Sequence, residues 1–184
     1  MRPGTIIYRG KSKGGVAILL RYPTMSDIRA MQNFINALSK ERTFINRQGD
    51  QLSYAGEKKY VQAEIERIKK NRSVFLLAFS ERQLVGCAGV SLRDGAMRHQ
   101  ASPGISIAKT FREQGIGSQL MASVLHEAKK HLKGVKIIVL GVFGNNQRAI
   151  RLYKKFGFRK YGSLPNGLFR RRKYADEHYM YRRI

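Results

Sequence analysis

Two clusters in the second half of the chain have residue types and spacing that suit ligand binding. The first is Arg112-Glu-Gln-Gly115-Ile-Gly117-Ser118, between a β-like apolar run and a helix-like one. Glycine tolerates φ > 0 and carries no side chain, so such a turn lets the backbone curl closely around a ligand. The first amides of the following helix have no partner inside it and lie at the positive end of its dipole, which suits pyrophosphate. The turn is not a Walker A loop, since no Gly-Lys-Ser/Thr follows, and it lacks the third glycine of the dinucleotide fingerprint. The second cluster runs from Val142 to Phe158. There Asn146, Ala149 and Tyr153 recur at i, i+3 and i+7, so they share a helix face and can follow one extended ligand. On spacing alone, Tyr153 reads first as a core aromatic.

These clusters need elements to hold them. Val16 to Leu20 reads as a first strand, after a flexible-looking start over Gly10 to Gly15. Thr24, Ser26 and Asp27 supply helix-start chemistry for a helix to about Lys40. Phe44 to Ala55 reads as loop, and a charged helix follows from about Glu57 to Lys70. Ser73 to Phe79 and Leu84 to Leu92, joined by the polar link Ser80 to Gln83, predict an antiparallel hairpin. A fourth strand is expected at Gly104 to Ala108. A helix from about Gly115 to His131 has Ile116, Leu120, Val124 and Ala128 in one row. Val135 to Val142 has the near-continuous apolar character of a strand buried on both faces. A helix over Asn146 to Phe156 is stopped by Gly157, and Phe158 to Tyr161 and Tyr174 to Tyr181 complete the β-like pieces. The expectation is one α+β domain from residue 16 to 184, preceded by a flexible basic extension over residues 1–15. Its centre is a mixed, mostly antiparallel sheet of six to seven strands flanked by about four helices.

The chain has 184 residues, enough for one compact domain with a sizeable core. The longest uncharged apolar stretch, Ile137 to Phe143, is far short of a spanning helix. The start shows no secretory h-region, so a reducing cytoplasm is the expected compartment. The single cysteine, Cys87, lies in an apolar strand and reads as an inert core thiol. His126 and His131 lie five apart on a helix with no carboxylate to complete a ligand set, so no metal is expected. The formal net charge is +24, with the larger share after Asp94. Charge of that size bears on partners: it favours nucleic acid, ribosomal surroundings, acidic peptides or a phosphate-bearing cosubstrate over a polyamine. Arg170 to Lys173 reads as a solvated loop, and Tyr174, Tyr179 and Tyr181 as one face of the last strand.

Taken in order, Arg-x-x-Gly-x-Gly followed by Asn-x-x-Ala-x-x-Leu-Tyr-x-x-x-Gly-Phe resembles the GNAT superfamily of N-acetyltransferases, strongly over Gly104 to Phe158. The tail, Gly162 to Gly167 and Tyr174 to Met180, also resembles bacterial-type GNAT enzymes. The resemblance implies that the fourth and fifth expected strands splay apart and that acetyl-CoA lies in the opening. It implies that the backbone of Ile105, Ile107 and Ala108 pairs with the pantetheine amides. Arg112, Gln114, Gly115, Ile116, Gly117 and Ser118 would wrap the pyrophosphate. Asn146 would hydrogen-bond the pantetheine arm, and Tyr153 would stand by the sulfur as general acid.

Direct acetyl transfer from a thioester to an amine also needs a group to take the amine's proton. Many relatives carry a glutamate at the end of the fourth strand, where His99-Gln-Ala-Ser-Pro103 offers no carboxylate. Glu41, His99 and a water chain are the substitutes in view. The expected acceptor is an amine, with a protein α-amino or lysine amine ahead of a polyamine, on a monomer or homodimer with no membrane association. The alternative is a non-catalytic module of the same shape that binds CoA, or RNA through its basic surface.

Overall fold

The computed structural model describes residues 1–184. One eight-stranded sheet runs through the molecule in the order β1-β2-β3-β4-β5-β6-β8-β7. Its strands are β1 (Ile6–Lys11), β2 (Ala17–Arg21), β3 (Ser73–Ser80), β4 (Gln83–Leu92), β5 (Gln100–Ile107), β6 (Ile137–Phe143), β7 (Arg159–Arg170) and β8 (Lys173–Arg183). The helices are α1 (Ile28–Lys40), α2 (Tyr54–Lys69), α3 (Ile116–His131) and α4 (Gln147–Lys155), with three short 3-10 turns. All strand pairs are antiparallel except β5 with β6.

The core follows the strand pattern. β3 is buried along nearly its whole length, because α2 covers one face and α3 the other. Opposed positions assign the faces: Val74, Leu76, Val90 and Ala101 turn to the side that carries Leu120 and Val124 of α3, and all are fully buried. The other face carries Phe75 and Leu77 on β3, then only Cys87, Gly89 and Ser91 on β4 and Ser102, Gly104 and Ser106 on β5. Small residues there leave space beneath α1 and α2.

The structure departs from the expectations at both ends. The stretch expected as a flexible extension contains β1, an edge strand paired with β2. Its signal was weak because an edge strand buries little, and here only Ile7 and Tyr8 pack against the core. The turn after it docks on the chain a hundred residues away: Ser12 Oγ (2.6 Å) and the Gly14 amide (3.1 Å) both donate to the Gln114 carbonyl. β1 raises the strand count to eight, above the expected six to seven, and at the other end the short β-like pieces are a long hairpin. Pro165 interrupts β7 at a register shift between Leu164 and Leu168, which an edge strand tolerates.

Arg170 to Lys173 closes that hairpin. Arg171 and Arg172 have φ of 48° and 60°, the paired positive values of a tight hairpin turn. Arg170 is not simply solvated, since its guanidinium stacks 4.3 Å from the Phe44 ring centroid. Tyr179 and Tyr181 do share a face, both against Tyr161, while Tyr174 is at an odd spacing from them and pairs with Phe169.

Candidate functional site

The site forms where β5 and β6 part. They pair only at Gln100–Ile137 and Ala101–Ile138, and beyond Ala101 the edge of β5 has no strand partner. A cleft of about 700 Å3 lies in this opening. It is lined by Ile105, Ser106 and Ile107 of β5, by Arg112, Gly115, Gly117 and Ser118 of the glycine turn, and by Asn146, Ala149 and Leu152 of α4. The splay expected between the fourth and fifth strands is therefore present between β5 and β6.

The glycine turn presents backbone, as its composition required. Gly115 has φ +81°, and a Cβ there would stand 2.9 Å from the Lys13 backbone nitrogen. The amides of Gly115, Ile116 and Gly117 donate to no acceptor in the protein, while those of Ser118 and Gln119 turn back to the Gly115 carbonyl. A Cβ on Gly117 would come no nearer than 3.7 Å to Ile107, so this position opens onto the cleft. Arg112, Arg148, Arg151 and Lys155 line the same volume, with Glu113 held 2.8 Å from Arg148. Free amides at a helix N-terminus beside Arg151 and Lys155, which carry no ion pair, form a receptor for phosphate oxygens. The residues present fit a phosphate-bearing, extended cosubstrate.

Several expected residues take other positions. Arg112 is not a free guanidinium: it forks onto Glu41 (2.7 and 3.0 Å), and its Nε donates to the Ile107 carbonyl at 2.9 Å. Gln114 is held by Ser12 and Gly14 through its carbonyl and donates its side-chain amide to Thr110, so it does not line the cleft. Ala108 gives its amide to Val85 and also stands off the lining. Ile116 is fully buried and contributes only its backbone. Asn146 caps α4, its Oδ1 accepting from the Ala149 amide at 3.2 Å, so its side-chain NH2 remains available.

Tyr153 is 7% exposed, packs edge-on to Phe158 and is not among the lining residues. Its hydroxyl makes no hydrogen bond in the protein, and Gln48 Oε1 is the one fully buried side-chain polar atom without a partner. The hydroxyl therefore touches open volume while the ring is packed. Burial pushes its pKa up to about 12, so it is protonated throughout the neutral range.

The candidates for proton acceptor are not placed for it. Glu41 is engaged by Arg112. His99 lies just before β5, at the closed end of the splay, six residues and so roughly 20 Å of strand from Ile105. Cys87 keeps its thiol, with burial, and then the Glu57 charge, raising its pKa to about 12.

Sequence reading overlooked a second cavity of about 510 Å3, beneath α1 and α2 on the small-residue face of β4 and β5. It meets the cleft at Ile105 and Ser106, which line both. Glu57, Tyr60 and Glu64 of α2 and Arg47 of the preceding loop bring charge and hydroxyl to it. The signal was present: Glu57 and Glu64 fall in register with Val61 and Ile68 on the buried stripe of α2, where apolar residues belong.

Comparison with known proteins agrees with this geometry. The model of the acetyltransferase (GNAT) family matches residues 37–158. An L-amino acid N-acetyltransferase from Escherichia coli is 32% identical over 108 residues, which span 58% of this chain and 66%, just under two thirds, of that protein. An acetyltransferase of the GNAT family from Streptococcus pneumoniae superposes with a TM-score of 0.83 at 25% identity, covering 91% of this chain and 99% of its own. A protein from Salmonella typhimurium, solved with its cofactor acetyl-CoA, superposes with a TM-score of 0.79 at 17% identity, over 90% and 93% of the two chains. With its family model spanning β3 to β6, the helices between them and α4, and the whole glycine turn, this chain belongs to the GNAT family of acetyltransferases.

Proposed function

We propose that the protein is an N-acetyltransferase that moves an acetyl group from acetyl-CoA directly to an amine, with no covalent enzyme intermediate. The observation that carries this reading is the splay of β5 from β6 over a cleft ending in three unpaired amides beside Arg151 and Lys155. The likeness to the Salmonella protein supports acetyl-CoA as cosubstrate, which would supply the activated acetyl group. The acceptor is best read as an α-amino group. The E. coli relative acts on L-amino acids by its name, and a protein or peptide α-amine shares that chemistry.

Each residue then has a task. The exposed edge of β5 at Ile105 and Ile107 offers backbone donors and acceptors to an extended amide-bearing arm, as a neighbouring strand would. Asn146 directs its side-chain NH2 toward the same arm. The Gly115, Ile116 and Gly117 amides with Ser118 hold pyrophosphate oxygens. Arg112 and Gln114 brace the turn through Glu41, Ile107 and Ser12 rather than meeting the ligand first. Tyr153 holds a proton at its hydroxyl for the departing sulfur.

The test is thermal unfolding with acetyl-CoA and with CoA, followed by thiol release with L-amino acids and a short peptide. Saturating ligand at about 100 times its Kd adds roughly 2.7 kcal/mol to the folded state, a visible rise in Tm. No rise would overturn the cleft assignment.

A further inference from the structure

Three glutamates are buried in this strongly basic protein, and two of them are satisfied. Glu64 accepts from the Ser73 hydroxyl, and Glu127 accepts from Tyr22 at 2.9 Å with His131 at 3.4 Å. Glu57 is 3% exposed, yet no donor reaches its carboxylate, and the Arg47 charge acts on it from beyond ion-pair distance. Its oxygens are not among the fully enclosed, unpartnered atoms. They therefore open into the cavity under α1 and α2. A buried carboxylate without a partner is costly to keep, so such a group calls for a ligand that completes it.

The surroundings specify that ligand. The cavity floor is the row Cys87, Gly89, Ser91, Ser102, Gly104 and Ser106, small enough to admit a substrate against the sheet. The groups facing Glu57 are Tyr60 and Glu64 from its own helix, Arg47 from the loop before it, and Cys87 from β4. Two carboxylates against one guanidinium favour a cationic occupant. The cavity joins the cosubstrate cleft at Ile105 and Ser106, on the stretch of β5 where the acetyl group would arrive.

We infer that this second cavity receives the acceptor amine and that Glu57 takes its proton. The inference rests on the N-acetyltransferase reading and supplies the base that the strand before Pro103 lacks. An ammonium gives one proton to a Glu57 oxygen, and the nitrogen lone pair forms the C–N bond as the thioester C–S bond breaks. The nitrogen sheds a second proton and the sulfur gains one, supplied through Tyr153. The net yield is one amide, one thiol and one proton passed from Glu57 to solvent. Burial raises the Glu57 pKa, with Arg47 pulling it back, so its basicity lies nearer to the working pH than that of an exposed glutamate.

The experiment compares wild type with Glu57→Gln and Gly104→Leu. A Cβ on Gly104 meets nothing within 4 Å, so the backbone there accepts a side chain, and leucine reaches into the cavity that Gly104 lines. Thiol release is followed against pH with the common L-amino acids and tri-alanine as probes, and acetyl-CoA binding is read from Tm. The expected result is that both variants keep the acetyl-CoA shift. Glu57→Gln should lose at least about 100-fold in kcat and the acid limb of the pH profile. Gly104→Leu should raise KM for the amine. Turnover by Glu57→Gln close to wild type with an unchanged profile would overturn the assignment, as would unchanged KM in Gly104→Leu. A wild type that binds acetyl-CoA but acetylates no probe would also overturn this cavity as an amine site. Failure of wild type to bind acetyl-CoA would instead sink the parent reading.

Discussion

Arg112 and Glu41, 71 residues apart in sequence, form a two-point ion pair that ties the glycine turn to the end of α1. Each side chain is about four-fifths buried, at 21% and 18% exposed. The same guanidinium holds the Ile107 carbonyl, so one side chain fixes the end of β5, the turn and the first helix together. The pair makes Arg112 a brace at the mouth of the cleft.

If Arg112 braces the turn, its loss should lower stability before any ligand is added. Arg112→Ala and Glu41→Gln are each expected to destabilise the ligand-free protein by about 1–2 kcal/mol, a fall in Tm of roughly 3–6 °C. Glu41→Gln should leave acetyl-CoA affinity within a few-fold, because the carboxylate is not part of the phosphate receptor. An unchanged ligand-free Tm in Arg112→Ala, with affinity lost, would show that the guanidinium meets the ligand directly.

The two glycines of the turn should part company. Alanine at Gly115 must adopt φ +81° and stand 2.9 Å from Lys13 backbone, so Gly115→Ala should cost about 1–2 kcal/mol or more. Gly117→Ala meets only ordinary contacts and sits inside α3, where alanine is the better helix former, so Tm should hold or rise. Gly117→Leu should fold yet lose the acetyl-CoA shift, since the side chain occupies the cleft. Thermal unfolding with and without acetyl-CoA reads all three.

How much of this was legible beforehand follows from range. The glycine turn and the helix that carries Asn146, Ala149 and Tyr153 are local patterns, set by φ preference and helical period; Asn146 and Ala149 line the cleft, while the Tyr153 ring packs in the core. The buried run of β6 was equally plain, because a strand covered on both faces cannot disguise its composition. The Arg112–Glu41 brace was hidden, since Glu41 is a charged residue at a helix end like many others. The edge strands β1 and β7 carry mixed polar residues with little burial, so periodicity had little to register. Glu57 was the avoidable omission: a charge on the apolar stripe of α2 is a visible conflict, and conflicts of that kind collect at functional sites.

Tyr153→Phe separates proton donation from packing. The ring is in the core, but its hydroxyl bonds to nothing in the protein, so the substitution should leave Tm nearly unchanged. The acetyl-CoA shift should also persist. If the hydroxyl supplies the sulfur's proton, kcat should fall by about 100-fold, within the usual range for one acid–base group. Full turnover in Tyr153→Phe would return the residue to the core.

Asp27 makes the fold sensitive to acid. Burial alone would raise its pKa, but the Arg21 fork (2.6 and 2.7 Å) and the Thr24 donors outweigh this and hold it below its ordinary 3.8. A depressed carboxylate contributes stability that is present above its unfolded pKa and lost as pH falls through the folded value. Asp27→Asn should therefore cost about 2–4 kcal/mol near neutrality. The gap from wild type should close as pH drops below 3.8. A gap independent of pH would show that shape, not charge, is what Asp27 provides.

Glu57 should behave in the opposite sense. Its folded pKa is raised above 4.5, mainly by burial, so the folded state binds the proton more tightly than the unfolded chain does. Below pH 4.5 the wild type carries a neutral acid there and should match Glu57→Gln in stability. As pH rises through the raised value, the wild type must bury an unpaired charge, and Glu57→Gln should become the more stable protein. A variant that gains stability while losing turnover is the pattern of a site strained for function. Equal Tm values across the range, measured by unfolding at a series of pH values, would mean that Glu57 is solvated and is no special base. A bound amine should supply the missing partner, so the wild type should recover part of that deficit when a cationic acceptor and CoA are both present.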